Sequence, residues 1–177
     1  PLTVEDFRGI MGKTMDVIAA KFFPDMPEKE RMELLDKCGE YENEYLSEHG
    51  AVLYPGVEET FAKLKEKYEL YIVSNCQSGY IEAFLSYYNL GKYISDIECY
   101  GNNEKQKEDN IALVVSRNAL TDAVYVGDIQ SDYESSKKAG VAFIHAAYGF
   151  GTIDDEVPEI ENLSQLPEVV EKVFAGK

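Results

Sequence analysis

The stretch that decides the fold is Ala123-Val124-Tyr125-Val126-Gly127-Asp128-Ile129-Gln130-Ser131-Asp132. Its apolar first half predicts a buried parallel β-strand. Gly127 allows a sharp turn that puts Asp128 at the carboxyl end of the strand, where open α/β sheets bind ligands. Asp132 follows one helical turn later and can return to the same side. Two acidic oxygen donors at a strand end suit Mg²⁺, although a capping aspartate followed by a solvated helix carboxylate would give the same pattern.

The composition describes a globular protein with a strong negative charge. The chain has 177 residues, of which 45% are hydrophobic and 28% are charged. Lysine and arginine number 17 and the acids 33, so the formal net charge is −16. Such a charge repels nucleic acid phosphates and anionic lipid, which argues against nucleic acid or membrane partners. An anionic substrate would need a local cation to screen this field.

The cysteines indicate a reducing environment. Cys38, Cys76 and Cys99 form no CxxC pair and no zinc-like spacing, and their odd number argues against a disulfide framework. The sequence also has no apolar stretch long enough to span a bilayer. We therefore expect a cytoplasmic protein, which could be a monomer or a homodimer.

Two regions differ in hydrophobic period. From Thr3 to about His49 the pattern is helical, with a stripe of Phe7, Met11, Met15, Ile18 and Phe22 and a second stripe of Met32, Leu35, Cys38, Tyr41, Tyr45 and His49. Pro24 and Pro27 separate the two helices, and Gly50 is a plausible helix cap. After Pro55, short apolar strands alternate with helices, which predicts a parallel sheet with right-handed crossovers. The expected architecture is a small α-helical cap, residues 1–50, and a Rossmann-like α/β core with helices on both faces, residues 51–177.

Three strand or helix ends carry polar residues suited to phosphate chemistry. Ser74 and Asn75 follow the strand Leu70–Val73 and could form a small anion-binding cup, although an ordinary N-cap serine is also possible. Lys105 and Lys107 precede a helix, where a lysine opposes the helix dipole and so suggests another role. The acidic pair Asp128 and Asp132 is the third element. A hydroxyl, a lysine and an acidic pair in this order indicate phosphate chemistry more specifically than any one of them does alone.

This order resembles the haloacid dehalogenase-like superfamily, which consists mostly of Mg²⁺-dependent phosphotransferases. Ser74 is similar to the family's strand-end hydroxyl that hydrogen-bonds the transferring phosphoryl group. Lys107, preferred to Lys105 for its spacing to the helix, resembles the lysine that neutralises negative charge. Asp128 and Asp132 resemble the metal-binding acids. Residues 1–50 are similar to the small helical cap of the phosphoglycolate-phosphatase-like subgroup.

One family motif has no counterpart in the sequence. The family's Asp-x-Asp motif, on a first strand at the centre of the sheet, supplies the nucleophile and the general acid/base. Asp6, Asp16 and Asp25 lie in helical or proline-flanked surroundings and do not fit. The resemblance implies that this strand lies between the strands ending at Ser74 and Gly127, where its removal would leave unpaired backbone groups. We therefore expect these residues to be the remainder of a longer protein, and the chain alone to be inactive.

The resemblance implies a Mg²⁺-dependent phosphatase that hydrolyses a small phosphorylated cytosolic metabolite through an aspartyl-phosphate intermediate. Ser74, Asn75 and Lys107 would then bind the phosphoryl group. Arg8 and Lys13 could reach an anionic substrate from the cap, although both could equally be solvated cations. A sugar-phosphate mutase of the same superfamily and an inactive binding protein remain alternatives.

Overall fold

The computed structural model describes residues 3–176. Its first part is helical, with α1 at Val4–Arg8, α2 at Met15–Phe22 and α3 at Glu28–His49. The second part alternates strands and helices. Its elements are α4 (Val57–Lys65), β1 (Leu70–Ser74), α5 (Tyr80–Tyr87), β2 (Ile94–Cys99), α6 (Tyr100–Asn103), α7 (Lys107–Arg117), β3 (Val124–Gly127), α8 (Gln130–Lys138), β4 (Ala142–Ala146), β5 (Glu159–Ile160) and α9 (Leu166–Ala175).

The prediction of one continuous helix from Thr3 to the first proline is wrong. The chain leaves the helix after α1 and resumes only at Met15. Gly12 adopts a φ of +73°, which L side chains rarely reach, and its carbonyl accepts a hydrogen bond from Asn75 Nδ2 at 2.9 Å. This contact comes from a residue far away in the sequence, so the apolar spacing of the segment gave no sign of the break.

Helix α3 packs partly through polar residues, and its apolar stripe is half-buried at Met32 and Leu35 but exposed from Cys38 onward. It contacts α2 and α5, and Asn43 Nδ2 donates to the carbonyl of Ser78 at 2.8 Å. Gly39 is buried beside the side chain of Gln77. Tyr41 and Tyr45, which the sequence placed on an apolar stripe, are exposed. Gly50 ends the helix with a φ of +65°, as predicted.

The strands are parallel, as the sequence predicts, and they form two separate sheets. In the first sheet β1 pairs with β2, and Ser74 is the register partner of Cys99. In the second sheet the order is β3-β4-β5, and Gly127 is the register partner of His145. The α/β class with a Rossmann-like arrangement of parallel strands and helices is therefore confirmed.

A cavity of about 600 Å³ separates the two sheets; we call it the interstrand groove. Its two walls are β1 and β3, neither of which pairs on its groove side with another strand among residues 3–176. Every residue of these two strands is partly exposed, whereas four of the five residues of β4 are buried. The interstrand groove therefore lies at the position that the central, most buried strands of a continuous sheet would occupy.

Two apolar clusters hold the second part together. One joins β3 and β4 to α4 and α9 and includes Leu64, Ile144 and Val170. The other joins β1 and β2 to α5 and includes Ile81 and Leu90. Within residues 3–176, no helix has the length and apolar character needed to cross a membrane.

Candidate active site

The end of β3 forms a tightly bonded acidic turn. Asp132, in the first turn of α8, is 3% exposed. Its Oδ2 accepts the backbone N–H of Asp128 at 3.1 Å and that of Ile129 at 3.4 Å. A Cβ on Gly127 would lie 2.5 Å from the Cβ of Asp132, so this close approach requires glycine. The turn thus fixes the backbone that carries Asp128.

Lys107 pairs with Asp132 in the protein interior. The Lys107 Nζ contacts Asp132 Oδ1, and Lys107 is only 9% exposed. Lys107 is the first residue of α7, which packs against α8 and so brings the two side chains together. Lys105 is exposed. The structure therefore brings Lys107 rather than Lys105 to the acidic turn.

Lys107 and the neighbouring Tyr125 both have shifted pKa values. Burial acts to lower the pKa of Lys107, but the neighbouring Tyr125, Asp132 and Asp128 outweigh it and raise the pKa above its ordinary value. Burial raises the pKa of Tyr125 to about 12. At neutral pH Lys107 is charged and the phenol of Tyr125 is protonated. Lys107 is therefore a buried cation close to the carboxyl end of β3.

Tyr125 links the two sheets, a role that its sequence context did not reveal. Its hydroxyl donates to the carbonyl of Val73 at 3.0 Å, across the interstrand groove. Val73 is the fourth of the five residues of β1 and Tyr125 is the second of the four residues of β3, so this bond ties one strand to the other. A tyrosine inside an apolar run indicates core packing. Its hydrogen bond to the other sheet becomes evident only from the structure.

The loop after β4 supports Asp128, and sequence reasoning also missed this function. Asp128 Oδ2 accepts the backbone N–H of Phe150 at 2.8 Å. A Cβ on Gly149 would lie 2.3 Å from the Cβ of Asp128, so the loop approaches closely because it has glycine there. Gly149 and Gly151 are the feature of the sequence that could have indicated this close approach. One carboxylate oxygen of Asp128 is thus held by the chain, and the other makes no hydrogen bond with residues 3–176.

The end of β1 carries Ser74 and Asn75 in different roles. Ser74 Oγ accepts the backbone N–H of Cys76 at 3.2 Å, a local turn contact. Asn75 Nδ2 donates to Gly12, which ties the helical first part to the core. Asn75 Oδ1 is buried and has no hydrogen-bond partner among residues 3–176. Asn75 therefore holds the segment between α1 and α2 against the strand end and keeps one acceptor unused.

A polar cleft of about 240 Å³ lies where this segment meets the core. Lys13, Asn75 and Lys107 line it together with Glu108 and Lys138. Ser74 and Asp128 lie at the adjacent strand ends but do not line the cleft. Arg8 is exposed and pairs with Glu5 at 3.5 Å. Of the two cap cations predicted to reach a substrate, the structure brings Lys13, and not Arg8, to this cleft.

The donor set fits a magnesium ion only in part. Mg²⁺ is usually bound by one or two carboxylates, with water and substrate phosphate supplying the remaining oxygens. Asp128 offers one carboxylate oxygen, whereas both oxygens of Asp132 already accept hydrogen bonds. Residues 3–176 contain no group of three or more metal-ligating side chains placed to hold an ion. The arrangement suits an ion that Asp128 binds directly and Asp132 supports by fixing the turn, so a direct Asp132 bond stays a prediction.

The family follows from comparison with known proteins. A family model described as haloacid dehalogenase-like hydrolase matches residues 1–146. The chain belongs to this family. The match contains Ser74, Lys107 and Asp128.

A curated relative in this hydrolase family is phosphoglycolate phosphatase from Escherichia coli strain K12. It is 26% identical over 148 residues, which cover 77% of this chain and 57% of that protein. The chain therefore spans little more than half the length of the relative.

Solved haloacid dehalogenase-like structures share the fold. A haloacid dehalogenase-like family hydrolase from Streptococcus pneumoniae has a TM-score of 0.78 at 17% identity, with 95% of this chain and 82% of that chain covered. A predicted phosphatase from Clostridium acetobutylicum has a TM-score of 0.80 at 17% identity, with 97% and 83% covered. At this identity the likeness concerns the fold alone.

Proposed function

We propose that this haloacid dehalogenase-like hydrolase is a Mg²⁺-dependent phosphatase that acts on a small phosphorylated metabolite in the cytoplasm. Its family membership supports hydrolase chemistry, and one of its curated relatives is a phosphoglycolate phosphatase. The observation that carries the proposal is the buried Lys107–Asp132 pair beside Asp128, at the carboxyl ends of β1 and β3. This set provides a fixed cation and a carboxylate where a phosphoryl group would lie.

The chain's own residues would stabilise charge on the phosphoryl group. Lys107 is a buried cation, and its fixed charge acts strongly in a site of low dielectric constant. Ser74 Oγ–H and Asn75 would hydrogen-bond phosphoryl oxygens, which orients the group for in-line attack. Asp128 would hold Mg²⁺, which when bound supplies Lewis-acid polarisation of the phosphoryl oxygens.

The nucleophile in this proposal lies outside residues 1–177. An aspartate would attack phosphorus as the bond to the leaving alkoxide breaks, giving an aspartyl-phosphate that water then hydrolyses to phosphate. Of the strands in residues 3–176, β3 alone is followed directly by an aspartate, Asp128. Asp6 caps α1 through Thr3, and a hydrogen bond from Thr14 lowers the pKa of Asp16. Both belong to the helical first part, and neither follows a strand.

The helical first part is proposed to act as a cap that selects the substrate. Its segment between α1 and α2 borders the polar cleft and carries Lys13. A cleft of about 240 Å³ suits a small molecule, and Lys13 would favour one with a second anionic group. Closing such a cap over the strand ends would exclude water from the site.

The test compares Asp128→Asn with a matched control in the native protein, at the length it has in its source. Phosphate release from a panel of phosphomonoesters is measured with and without MgCl₂. We expect Mg²⁺-dependent release that Asp128→Asn abolishes and that Asp36→Asn, an exposed change on α3, leaves intact. Full activity of Asp128→Asn would contradict the metal assignment.

A catalytically inactive phosphate-binding protein is the second candidate. The observation that favours it is that no Asp-x-Asp pair follows a strand within residues 3–176. It predicts no phosphate release from the native protein under any condition, although inorganic phosphate would still bind. Recovery of an isomerised sugar phosphate instead of free phosphate would indicate a mutase.

A further inference from the structure

We propose that Cys76 and Cys99 form a reversible disulfide that responds to hydroperoxides and weakens phosphate binding at Ser74. Ser74 ends β1, Cys99 ends β2, and Cys76 follows two residues after Ser74. The chemistry of the two thiols can be tested without any measurement of activity. Its effect on Ser74 rests on the proposed function, because that function assigns the phosphoryl group to Ser74.

The backbone holds the two cysteine segments together. Ser74 and Cys99 are register partners, so their side chains lie on the same face of the sheet. The carbonyl of Cys76 accepts the backbone N–H of Gly101 at 3.0 Å. A Cβ on Gly101 would lie 2.1 Å from the backbone N of Ser78, so the loop after β1 lies directly against the chain that follows β2. The contact between the two strands thus continues past their carboxyl ends.

The two side chains meet in one apolar cluster. Cys99 is 1% exposed, and the half-buried Cys76 packs against the cluster that contains Cys99. The two thiols share a side-chain hydrogen bond, and Cys99 Sγ also donates to the carbonyl of Gln77 at 3.7 Å. A disulfide requires two backbones that are close together and side chains that point toward each other. Both conditions are met here, whereas the third cysteine, Cys38, is exposed on α3.

The reaction consumes two thiols and one hydroperoxide. Oxygen transfer from hydrogen peroxide to the partly exposed sulfur of Cys76 gives a sulfenic acid and one water. The sulfur of Cys99 then attacks the sulfur of Cys76, and the hydroxyl group leaves with the proton of Cys99 as a second water. The two sulfurs together lose two electrons, which the peroxide gains. A reducing dithiol reverses the bond by thiol–disulfide exchange and is itself oxidised to a disulfide.

The acidity of the two thiols determines their roles in this reaction. The hydrogen bond from Cys99 raises the pKa of Cys76, and burial adds to the rise. The same hydrogen bond lowers the pKa of Cys99. Because the thiolate is the attacking form of cysteine, the lowered pKa suits Cys99 to the second step. The raised pKa of Cys76 slows the first step, so the pair stays reduced until peroxide accumulates, and the disulfide is transient rather than structural.

The disulfide affects Ser74 through one hydrogen bond. Ser74 Oγ accepts the backbone N–H of Cys76 at 3.2 Å. A covalent bond draws Cys76 toward Cys99 and moves this N–H away from the Ser74 hydroxyl. Ser74 then loses the contact that orients its side chain, so its hydroxyl binds a phosphoryl group less well.

The first test maps the disulfide in the native protein, at the length it has in its source. The protein is treated with hydrogen peroxide, free thiols are blocked, and a tryptic digest is examined by mass spectrometry without reduction. Trypsin cleaves at Lys92, between the two cysteines, so Cys76 and Cys99 fall on separate peptides. We expect these peptides to be joined and dithiothreitol to release them. Cys76→Ser should abolish the link, and Cys38→Ser, an exposed change on α3, should keep it.

The second test measures the effect on the site by calorimetric titration with inorganic phosphate in the presence of MgCl₂. We expect the oxidised protein to bind phosphate about fivefold more weakly, which is the typical effect of losing one hydrogen bond. Dithiothreitol should restore the affinity. Cys76→Ser should bind phosphate equally well before and after peroxide treatment, with circular dichroism used to verify that the variant folds.

Three results would overturn the proposal. These are two peptides that stay separate after peroxide treatment, a link from either of them to Cys38 instead, or a joined pair that binds phosphate as tightly as the reduced protein. Failure of the proposed function gives a different pattern. If the reduced native protein neither binds nor releases phosphate, the catalytic proposal fails together with the effect on Ser74. The thiol chemistry of Cys76 and Cys99 then stands or falls by the peptide map alone.

Discussion

Replacing Lys107 by Met should destabilise the fold by about 3 kcal/mol. Lys107 is 9% and Asp132 is 3% exposed, so removal of the cation leaves a buried carboxylate without its ion-pair partner. Breaking a buried pair typically costs about 3–5 kcal/mol. We expect the lower end of this range, because Asp132 Oδ2 keeps the backbone N–H groups of Asp128 and Ile129. Met approximates the length of the lysine stem, so the lost packing is small.

Equilibrium urea unfolding, followed by circular dichroism, measures this loss. The double variant Lys107→Met with Asp132→Asn removes both charges and should be more stable than the sum of the single changes predicts, by about 2 kcal/mol. Lys138→Met is the matched control, because Lys138 pairs with Glu108 at 2.8 Å on the surface. Exposed pairs contribute little, so this control should unfold like the parent protein.

Two outcomes would refute the reasoning. One is a loss of unfolding free energy below about 1 kcal/mol for Lys107→Met, and the other is a double variant whose loss equals the sum of the two single losses. Either result would mean that water screens the pair. The pH dependence offers a second check. The pKa of Lys107 is raised in the folded protein, so its contribution is complete below the unfolded value of about 10.4 and is lost as pH rises through the folded value.

Three further changes test the surroundings of the site. Tyr125→Phe should remove a phenol that titrates at about pH 12, which the ultraviolet titration of tyrosinate detects; an unchanged titration curve would place that phenol elsewhere. Gly101→Ala should destabilise the fold by about 2 kcal/mol in urea, because its Cβ would lie 2.1 Å from the backbone N of Ser78; parent stability would contradict that close approach. Arg117→Met should destabilise at neutral pH, because Arg117 contacts the buried Glu98 at 2.9 Å. The pKa of Glu98 is lowered, so this contribution is present above about pH 4.3 and shrinks as pH falls through the folded value; a loss independent of pH would argue against the pair.

The sequence predicted the strand-and-helix order of the core because those elements follow local rules. Short apolar runs became β1 and β3, and both are followed by the polar residues expected at a ligand-binding edge. The choice of Lys107 over Lys105 rested on its spacing to the helix, and the structure brings Lys107 to Asp132. The apolar runs and the position of Lys107 at a helix start depend on neighbours within a few residues, which a sequence displays directly.

The features that the sequence did not reveal depend on contacts between distant segments. The break after α1 is fixed by Asn75, some sixty positions away. Support of Asp128 by Phe150 and the bridge from Tyr125 to Val73 are of the same kind. Tyr41 and Tyr45 of α3 are exposed although the sequence placed them on an apolar stripe. Such a stripe indicates a helix but does not determine which of its faces is buried. Asn43 and Gly39 contact Ser78 and Gln77 in the loop before α5, whereas Tyr41 and Tyr45 of the stripe stay exposed.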